Sequence, residues 1–417
     1  MVIFGYEEQV GEFFVPNGTS PDLIKKMKTK ERPEDIYANG CFQEDTGLVC
    51  SVYQCDSYPN LLWLKGISFA DKLVSDIDDD KFYFYLVVPF GTSNGFIGIS
   101  GENATKTQTQ INWPFTNSIS KKVISDVQNG KCKIIIDQWS EGHPYDSDWI
   151  TTLHKLLDSV NIPRTSVYYL TSNQIFKDDY DLEFDDKLQI NILTTDYSSV
   201  ELFECFRDYF DCENDFNKKR TKHFMSFNRA EKPHRSKLVN FLESENLLDK
   251  GYVSYKPKKL YLDTDFDRYS DNPISVSSNR ALEAVNDSKW FMSGNEIYLD
   301  SYINVTTETY FVEPALRFSE KTFKPIVYQQ PFILYSTPFS LKHLRSVGYK
   351  TFNPFIDESY DEIEDNTDRL IALNNEVKRL CNLPIEEIHE WYVDIKEILI
   401  HNFNHFKNTL DRIPNIS

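Results

Sequence analysis

Two stretches of this 417-residue chain carry residue types whose spacing suits chemistry on anions. The first, TETYFVEPALRFSEKTFKPIVYQQPFILYS (307–336), sets Glu308 and Glu313 ahead of Arg317 and a Ser319-Glu320-Lys321-Thr322-Phe323-Lys324-Pro325 core. Ser319 is a good helix N-cap, and Glu320 in the next turn complements the positive end of the helix dipole. Pro325 lies six positions into that helix, so the helix either kinks there or starts near Pro325 as its first residue. In both cases a helix N-terminus and two lysines, Lys321 and Lys324, converge at the end of a loop. Backbone N–H groups, a favourable dipole and cationic side chains are what a diphosphate needs, with the Glu320 carboxylate free to accept from ribose or sugar hydroxyls. A nucleotide-sugar site is the inference; the plain alternative is a capped surface helix with Glu320 and Lys324 as an i,i+4 pair.

The second stretch, FMSFNRAEKPHR (224–235), packs Asn228, Arg229, Lys232, His234 and Arg235 between a strand pattern and a helix pattern. Such a basic island in an acidic chain suits the phosphates of the same ligand, or else forms a solvated turn that pairs with surface carboxylates.

The elements that must hold these residues read as α/β. Residues 81–90 (KFYFYLVVPF) have the aromatic and β-branched density of a buried strand and stop at Gly91-Thr92-Ser93-Asn94-Gly95. Further strands are expected at 131–137, 166–173 and 188–193, with a helix in WITTLHKLLDSV (149–160) that Asn161-Ile162-Pro163 ends. Strands alternating with helices imply a parallel sheet. After the polar stretch 208–223, a strand at 223–228 leads to a helix with Pro233 at its start and Gly251 at its end, then to a strand at Val253. Apolar segments follow at 281–285 and 289–292, and two helices at 365–380 and 384–410. The expected division is an α/β domain over 1–215, a second over 216–362, and C-terminal helices over 363–417 that pack back on the lobes. Two Rossmann-like lobes with a cleft between them would bind ligands beyond the carboxyl ends of their strands.

Composition narrows the classes. With 40% apolar and 14% aromatic residues, the chain is not disordered. Its 45 basic against 64 acidic residues leave a net charge of −19, so no global field draws in a polyanion. No membrane span and no secretory signal are evident, and the expected location is cytoplasmic. The cysteines (Cys41, Cys50, Cys55, Cys132, Cys205, Cys212, Cys381) form no CxxC pair and read as reduced, mostly buried thiols. The sequons at Asn17 and Asn304 are then chance matches. P-loop, HExxH, GxSxG and GxGxxG signatures are absent.

The block SFNRAEKPHR…NLLDKGYVSY, followed by ETYFVEPALRFSEKTFKPIVYQQPFIL and LRSVGYKTFNPFIDESYDEI, resembles glycosyltransferase-like proteins of tailed phages and bacteria. EKTFKPI is similar to the donor-binding E-K element of fucosyltransferase and exostosin-like enzymes with the bilobal GT-B fold. The resemblance covers residues 222–362 and, more weakly, IIIDQWSEG (134–142) and YYLTSN (168–173). It implies a nucleotide-sugar-dependent transferase whose second lobe binds the donor and whose first binds the acceptor, in the host cytoplasm if phage-encoded. Arg229 and Lys321 would then meet the diphosphate and Glu320 the ribose or sugar, with Lys324, Arg235, His234, Lys232, Glu308 and Ser319 around them. Lys232 departs from the arginine expected in such a loop, which keeps the charge but not bidentate phosphate geometry.

A transferase without a covalent step needs a base for the acceptor hydroxyl. Asp137 and Glu141, at and beyond the end of a first-lobe strand with His143 nearby, are the candidates, against the alternative that they cap the next helix or pair locally. A retaining route would instead stabilise the departing phosphate. Asp263-Thr264-Asp265 and Asp265-Phe266-Asp267 match a metal-binding DxD formally, but lysines and a helix end can neutralise the leaving group, so neither metal nor other cofactor is expected. The acceptor is a surface glycan or, for a phage enzyme, a hydroxymethylated DNA base. Lys218-Lys219-Arg220 with Lys222, or the lysines of 256–259, would give a local phosphate track, or else simply solubilise loops. The rival class is a non-catalytic bilobal protein that binds a glycan or a protein through its aromatic surplus.

Overall fold

The computed structural model describes residues 2–6, 69–87, 121–138, 142–184, 189–194, 196, 199, 214–228, 231–258 and 295–412. They form two compact units, the first containing the described residues up to 196 and the second those from 199 to 412. Each unit is built on a parallel sheet flanked by helices, so the chain is α/β twice over.

In the first unit, β1 (Val2–Tyr6), β2 (Phe69–Leu73), β3 (Tyr83–Val87), β4 (Cys132–Gln138), β5 (Val167–Thr171) and β6 (Asn191–Thr194) form one sheet in the order β2-β1-β3-β4-β5-β6. Every pair is parallel, with Ile134 opposite Val167 and Gln138 opposite Thr171. A parallel sheet is covered on both faces, which is why β4 carries three consecutive isoleucines, Ile134, Ile135 and Ile136, all fully buried. Helices α1 (Lys121–Gln128), α2 (Ser147–Ser159) and α3 (Phe176–Glu183) accompany it. Asp146 caps α2 by accepting Trp149 N–H at 3.0 Å, and Ile150, Leu153 and Leu157 face the core. Asn161 at φ 53° ends the run ahead of Pro163.

In the second unit, β7 (Lys222–Asn228), β8 (Gly251–Tyr255), β9 (Ser301–Thr307) and β10 (Phe332–Tyr335) pair in parallel in the order β10-β9-β7-β8. Helix α4 (Pro233–Ser244) follows β7, α5 (Asn295–Asp300) precedes β9, α6 (Glu320–Val327) joins β9 to β10, and α7 (Ser340–Ser346) follows β10. Then come α8 (Asn366–Asn382), α9 (Ile385–Asp394) and α10 (Lys396–Lys407). They pack within this unit: α8 lies against α4, β7 and β10, α9 against β7 and β9, and α10 against α6, where Phe406 meets Phe323 at 6.1 Å.

Several local expectations change. Pro233 does start α4, but the helix ends at Ser244, and Gly251 opens β8 in an extended conformation. A Cβ at Gly251 would stand 2.6 Å from the Phe224 ring, so close packing, not a helix end, calls for glycine there. The helix expected over 384–410 is two, parted at the buried Ile395. Asn304, read as part of a sequon, is 6% exposed in a strand whose seven residues are all buried. Cys132 and Cys381 are buried free thiols, and burial pushes the latter up to about 12. The segments 281–285 and 289–292 lie outside the described residues. No helix among the described residues is long and apolar enough to cross a membrane.

Candidate functional site

The order of the second sheet reverses between β7 and β9, and in open parallel sheets ligands bind outside the carboxyl ends at such a reversal. β7 ends at Asn228 and β9 at Thr307, and the two side chains meet: the Thr307 hydroxyl donates to Asn228 Oδ1 at 2.8 Å. Asn228 Nδ2 in turn donates to Ser226 Oγ at 3.0 Å, and that hydroxyl donates to Val305 O at 3.0 Å. These buried polar groups cross-link the strand ends, which fixes the platform before any ligand arrives.

Glu308 is the next residue. Its N–H continues the ladder to Tyr335 O at 2.9 Å, and its side chain is buried. Oε1 accepts the N–H of Ser319 at 2.9 Å and the Thr322 hydroxyl at 2.5 Å. Oε2 accepts the Ser319 hydroxyl at 2.6 Å and Thr309 N–H at 3.3 Å. A residue expected to touch a donor thus spends both oxygens on the chain itself and ties the start of α6 to the end of β9.

Ser319 caps α6 in an extended conformation, its Oγ accepting Lys321 N–H at 3.3 Å. The helix starts here and continues through Pro325. That proline has no N–H for the carbonyl of Lys321; the Thr306 hydroxyl stands 3.5 Å from this oxygen, with Asn304 Oδ1 at 2.7 Å as its nearer acceptor. Lys321 Nζ donates to Glu320 Oε1 at 2.6 Å and to Ser319 Oγ at 3.3 Å, with one N–H beyond these two contacts. Burial pushes the Glu320 carboxyl up, but Lys321, Lys324 and Arg317 outweigh it and hold the group at about 2. Lys324 is itself buried within the helix. The result is a charged rim at a helix N-terminus, ionised at any physiological pH, suited to a phosphate or another polyoxyanion.

The second constellation serves the same place from the other strand. Lys232 is the backbone N-cap of α4 with Pro233 after it, and its side chain is half-buried. His234 and Arg235 turn inward: His234 Nε2 donates to Glu308 O at 3.0 Å, and Arg235 Nη2 to Thr307 O at 3.1 Å and Glu308 O at 3.3 Å. Burial, reinforced by Arg235, lowers the His234 pKa to about 4, so the ring is neutral and carries its proton on Nε2. Burial also lowers the Arg235 pKa, while Glu308 and Glu320 oppose it. Glu308 therefore joins both helix starts, its carboxylate holding α6 and its carbonyl the first turn of α4.

Sequence reasoning missed three supports of this site. Thr322 completes the Glu308 clamp, three residues after Ser319 on the same helix turn. Phe311, in the loop between β9 and α6, stacks on His234 with ring centroids 5.1 Å apart and planes at 14°. Arg369 of α8, fully buried, donates Nη2 to Phe311 O at 2.6 Å. A lone arginine within a helical pattern carries no signal of that partner.

Arg229 and Glu141 lie outside the described residues. Asp137 stands next to last on β4, opposite Leu170 of β5, and the His143 carbonyl accepts Asn173 Nδ2 at 3.0 Å in the same unit. In the first basic strip Lys218 and Lys219 are exposed. Arg220 is buried and donates Nη1 to Tyr298 O at 2.9 Å and to Ser301 O at 2.6 Å, and Lys222 donates to Asp249 O. Lys258 pairs with Glu243 at 2.5 Å, while Lys259 is outside the described residues. So are the aspartates of the two DxD matches, and among the described residues no three His, Cys, Asp or Glu side chains could together hold a metal ion.

No protein-family model, curated protein or solved structure matches this chain.

Proposed function

We propose that this chain is a nucleotide-sugar-dependent glycosyltransferase of the GT-B type. The observation that carries the reading is the start of α6, where Glu308 anchors Ser319 at the reversal point of a parallel sheet and Lys321, Lys324 and Arg317 surround an ionised Glu320. A donor diphosphate would take the helix N-terminus and the Lys321 ammonium, with Arg229, the residue after β7 in the sequence, as a second cation. Glu320 would accept from a ribose or sugar hydroxyl.

In the reaction, the acceptor hydroxyl loses its proton to a base and its oxygen attacks the anomeric carbon as the bond to the diphosphate breaks. The leaving group's growing charge is met by Lys321 and the helix dipole, so no metal ion is required. Asp137 or Glu141 is the proposed base. The acceptor is a glycan hydroxyl or the hydroxymethyl group of a modified DNA base. The net charge of −19 and the buried Arg220 favour a small or locally presented acceptor over a long duplex.

A thermal-shift panel of UDP, GDP, CMP, dTDP and their common sugar conjugates tests the donor half. One nucleotide should raise the midpoint of the parent and leave Lys321→Ala unmoved. A shift of equal size in the variant would reject the α6 assignment, and no shift with any of them would reject the donor class.

A further inference from the structure

We propose that Glu308 is the positioning residue of this donor site: it fixes which way the Ser319 hydroxyl points and, through it, where the Lys321 ammonium sits. The inference rests on the transferase reading for its consequence, but its geometry stands alone. Each oxygen of Glu308 accepts one backbone N–H, Ser319 N on Oε1 and Thr309 N on Oε2, and backbone amides can only donate. Both oxygens are thereby fixed as acceptors, and the hydroxyls that approach them, from Thr322 and Ser319, must be the donors.

A serine hydroxyl has one proton. With it committed to Glu308, the Ser319 oxygen presents only lone pairs to its other neighbours, which are Lys321 N and Lys321 Nζ, both at 3.3 Å. Lys321 Nζ is then held between Ser319 Oγ and Glu320 Oε1, so a four-rotor side chain is set in place before a ligand binds. Preorganised cations stabilise developing charge more effectively than mobile ones, because no reorganisation is left to do. Glu308 reaches this ammonium without approaching the ligand itself.

Glu308→Gln tests the chain of bonds at constant size. At either oxygen position the amide nitrogen would meet a backbone N–H head-on, of Ser319 or of Thr309, and at the Oε2 position it would also donate toward Ser319 Oγ, so that the hydroxyl turns and Lys321 loses an acceptor. Two measurements on the full chain separate the claims. In hydrogen exchange, the segment 316–324 of Glu308→Gln should exchange at least about tenfold faster while 366–407 is unchanged. Unchanged exchange at 316–324 overturns the proposal whatever the chain binds.

Calorimetric titration with inorganic pyrophosphate reads the consequence. Glu308→Gln and Lys321→Ala should each weaken binding about tenfold or more, and the double variant should be no weaker than Lys321→Ala alone. Additive losses would make Glu308 merely structural and overturn the positioning role, as would full affinity in Glu308→Gln. If the parent itself fails to bind pyrophosphate, the donor-site reading falls and the proposed consequence for Lys321 falls with it, while the exchange experiment still decides whether Glu308 holds the α6 start.

Discussion

The guanidinium of Arg369 lies 4.5 Å from the centroid of the Phe311 ring, the ring on which His234 also stacks. One aromatic side chain in the loop between β9 and α6 thus connects the first turn of α4 to helix α8. Arg369 donates to the carbonyls of Ser336, Ile363, Glu364 and Phe311 and to Asn366 Oδ1, between 2.6 and 3.2 Å. Arg369→Met would leave the buried carbonyl bonds at Ser336 and Phe311 without their donor. It should lower the unfolding free energy by about 3 kcal/mol or more, as loss of one buried charged partner does. Urea denaturation gives the value, and a change under about 0.5 kcal/mol, the range of ordinary surface substitutions, would contradict this role.

His234 makes stability depend on pH in a defined window. Its folded pKa of about 4 lies below the value near 6.5 of an exposed histidine, because burial and Arg235 disfavour the charge. The stabilisation is therefore complete above about pH 6.5 and lost as pH falls toward 4. Against His234→Gln, the parent's advantage in unfolding free energy should shrink between pH 7 and pH 4.5. Glu320, held at about 2, adds stability that is lost only at lower pH, below the ordinary carboxylate range near 4.3. A parent-to-variant difference that stays constant across the window would contradict the buried neutral imidazole.

The parallel α/β character of both halves was legible because buried parallel strands write themselves as apolar runs: KCKIIID, SVYYLTSN and HFMSFN became β4, β5 and β7. β9 was not, since SYINVTT hides its burial behind Asn304, Thr306 and Thr307, and the side chains of Asn304 and Thr307 find partners distant in sequence, Gln330 and Asn228. The break at Ile395 has no glycine or proline to announce it. In the site, the capping role of Ser319 and the i,i+4 spacing of Glu320 and Lys324 could be read from local pattern. The inward turn of His234 and Arg235 could not: a basic run looks alike whether it meets solvent or the carbonyls at a strand end.

Gly348 is a sharper case of local demand. It sits at φ +103°, and a Cβ there would stand 2.6 Å from His405 Cε1, on the ring that bonds Val347 O from α10. Gly348→Ala therefore meets both backbone strain and a clash, and should cost about 1–3 kcal/mol. A melting temperature equal to the parent's would show that α10 yields at this point.

For the proposed chemistry, Asp137→Asn and Glu141→Gln should separate binding from turnover. The variant that lacks the base should lose about a hundredfold or more in kcat while its donor midpoint shift is kept. EDTA should leave the parent's rate unchanged. Activity lost in EDTA and restored by Mn²⁺ would assign the leaving-group charge to a metal ion.

The central claim is tested most directly by turnover of a radiolabelled nucleotide sugar, chosen by the thermal-shift panel and followed with and without acceptor hydroxyls. The account predicts release of the nucleoside diphosphate by the parent and its loss, by tenfold or more, in Lys321→Ala and in Glu320→Ala. Full turnover in both variants would contradict the site at α6, and no turnover by the parent with any donor it binds would contradict the transferase itself.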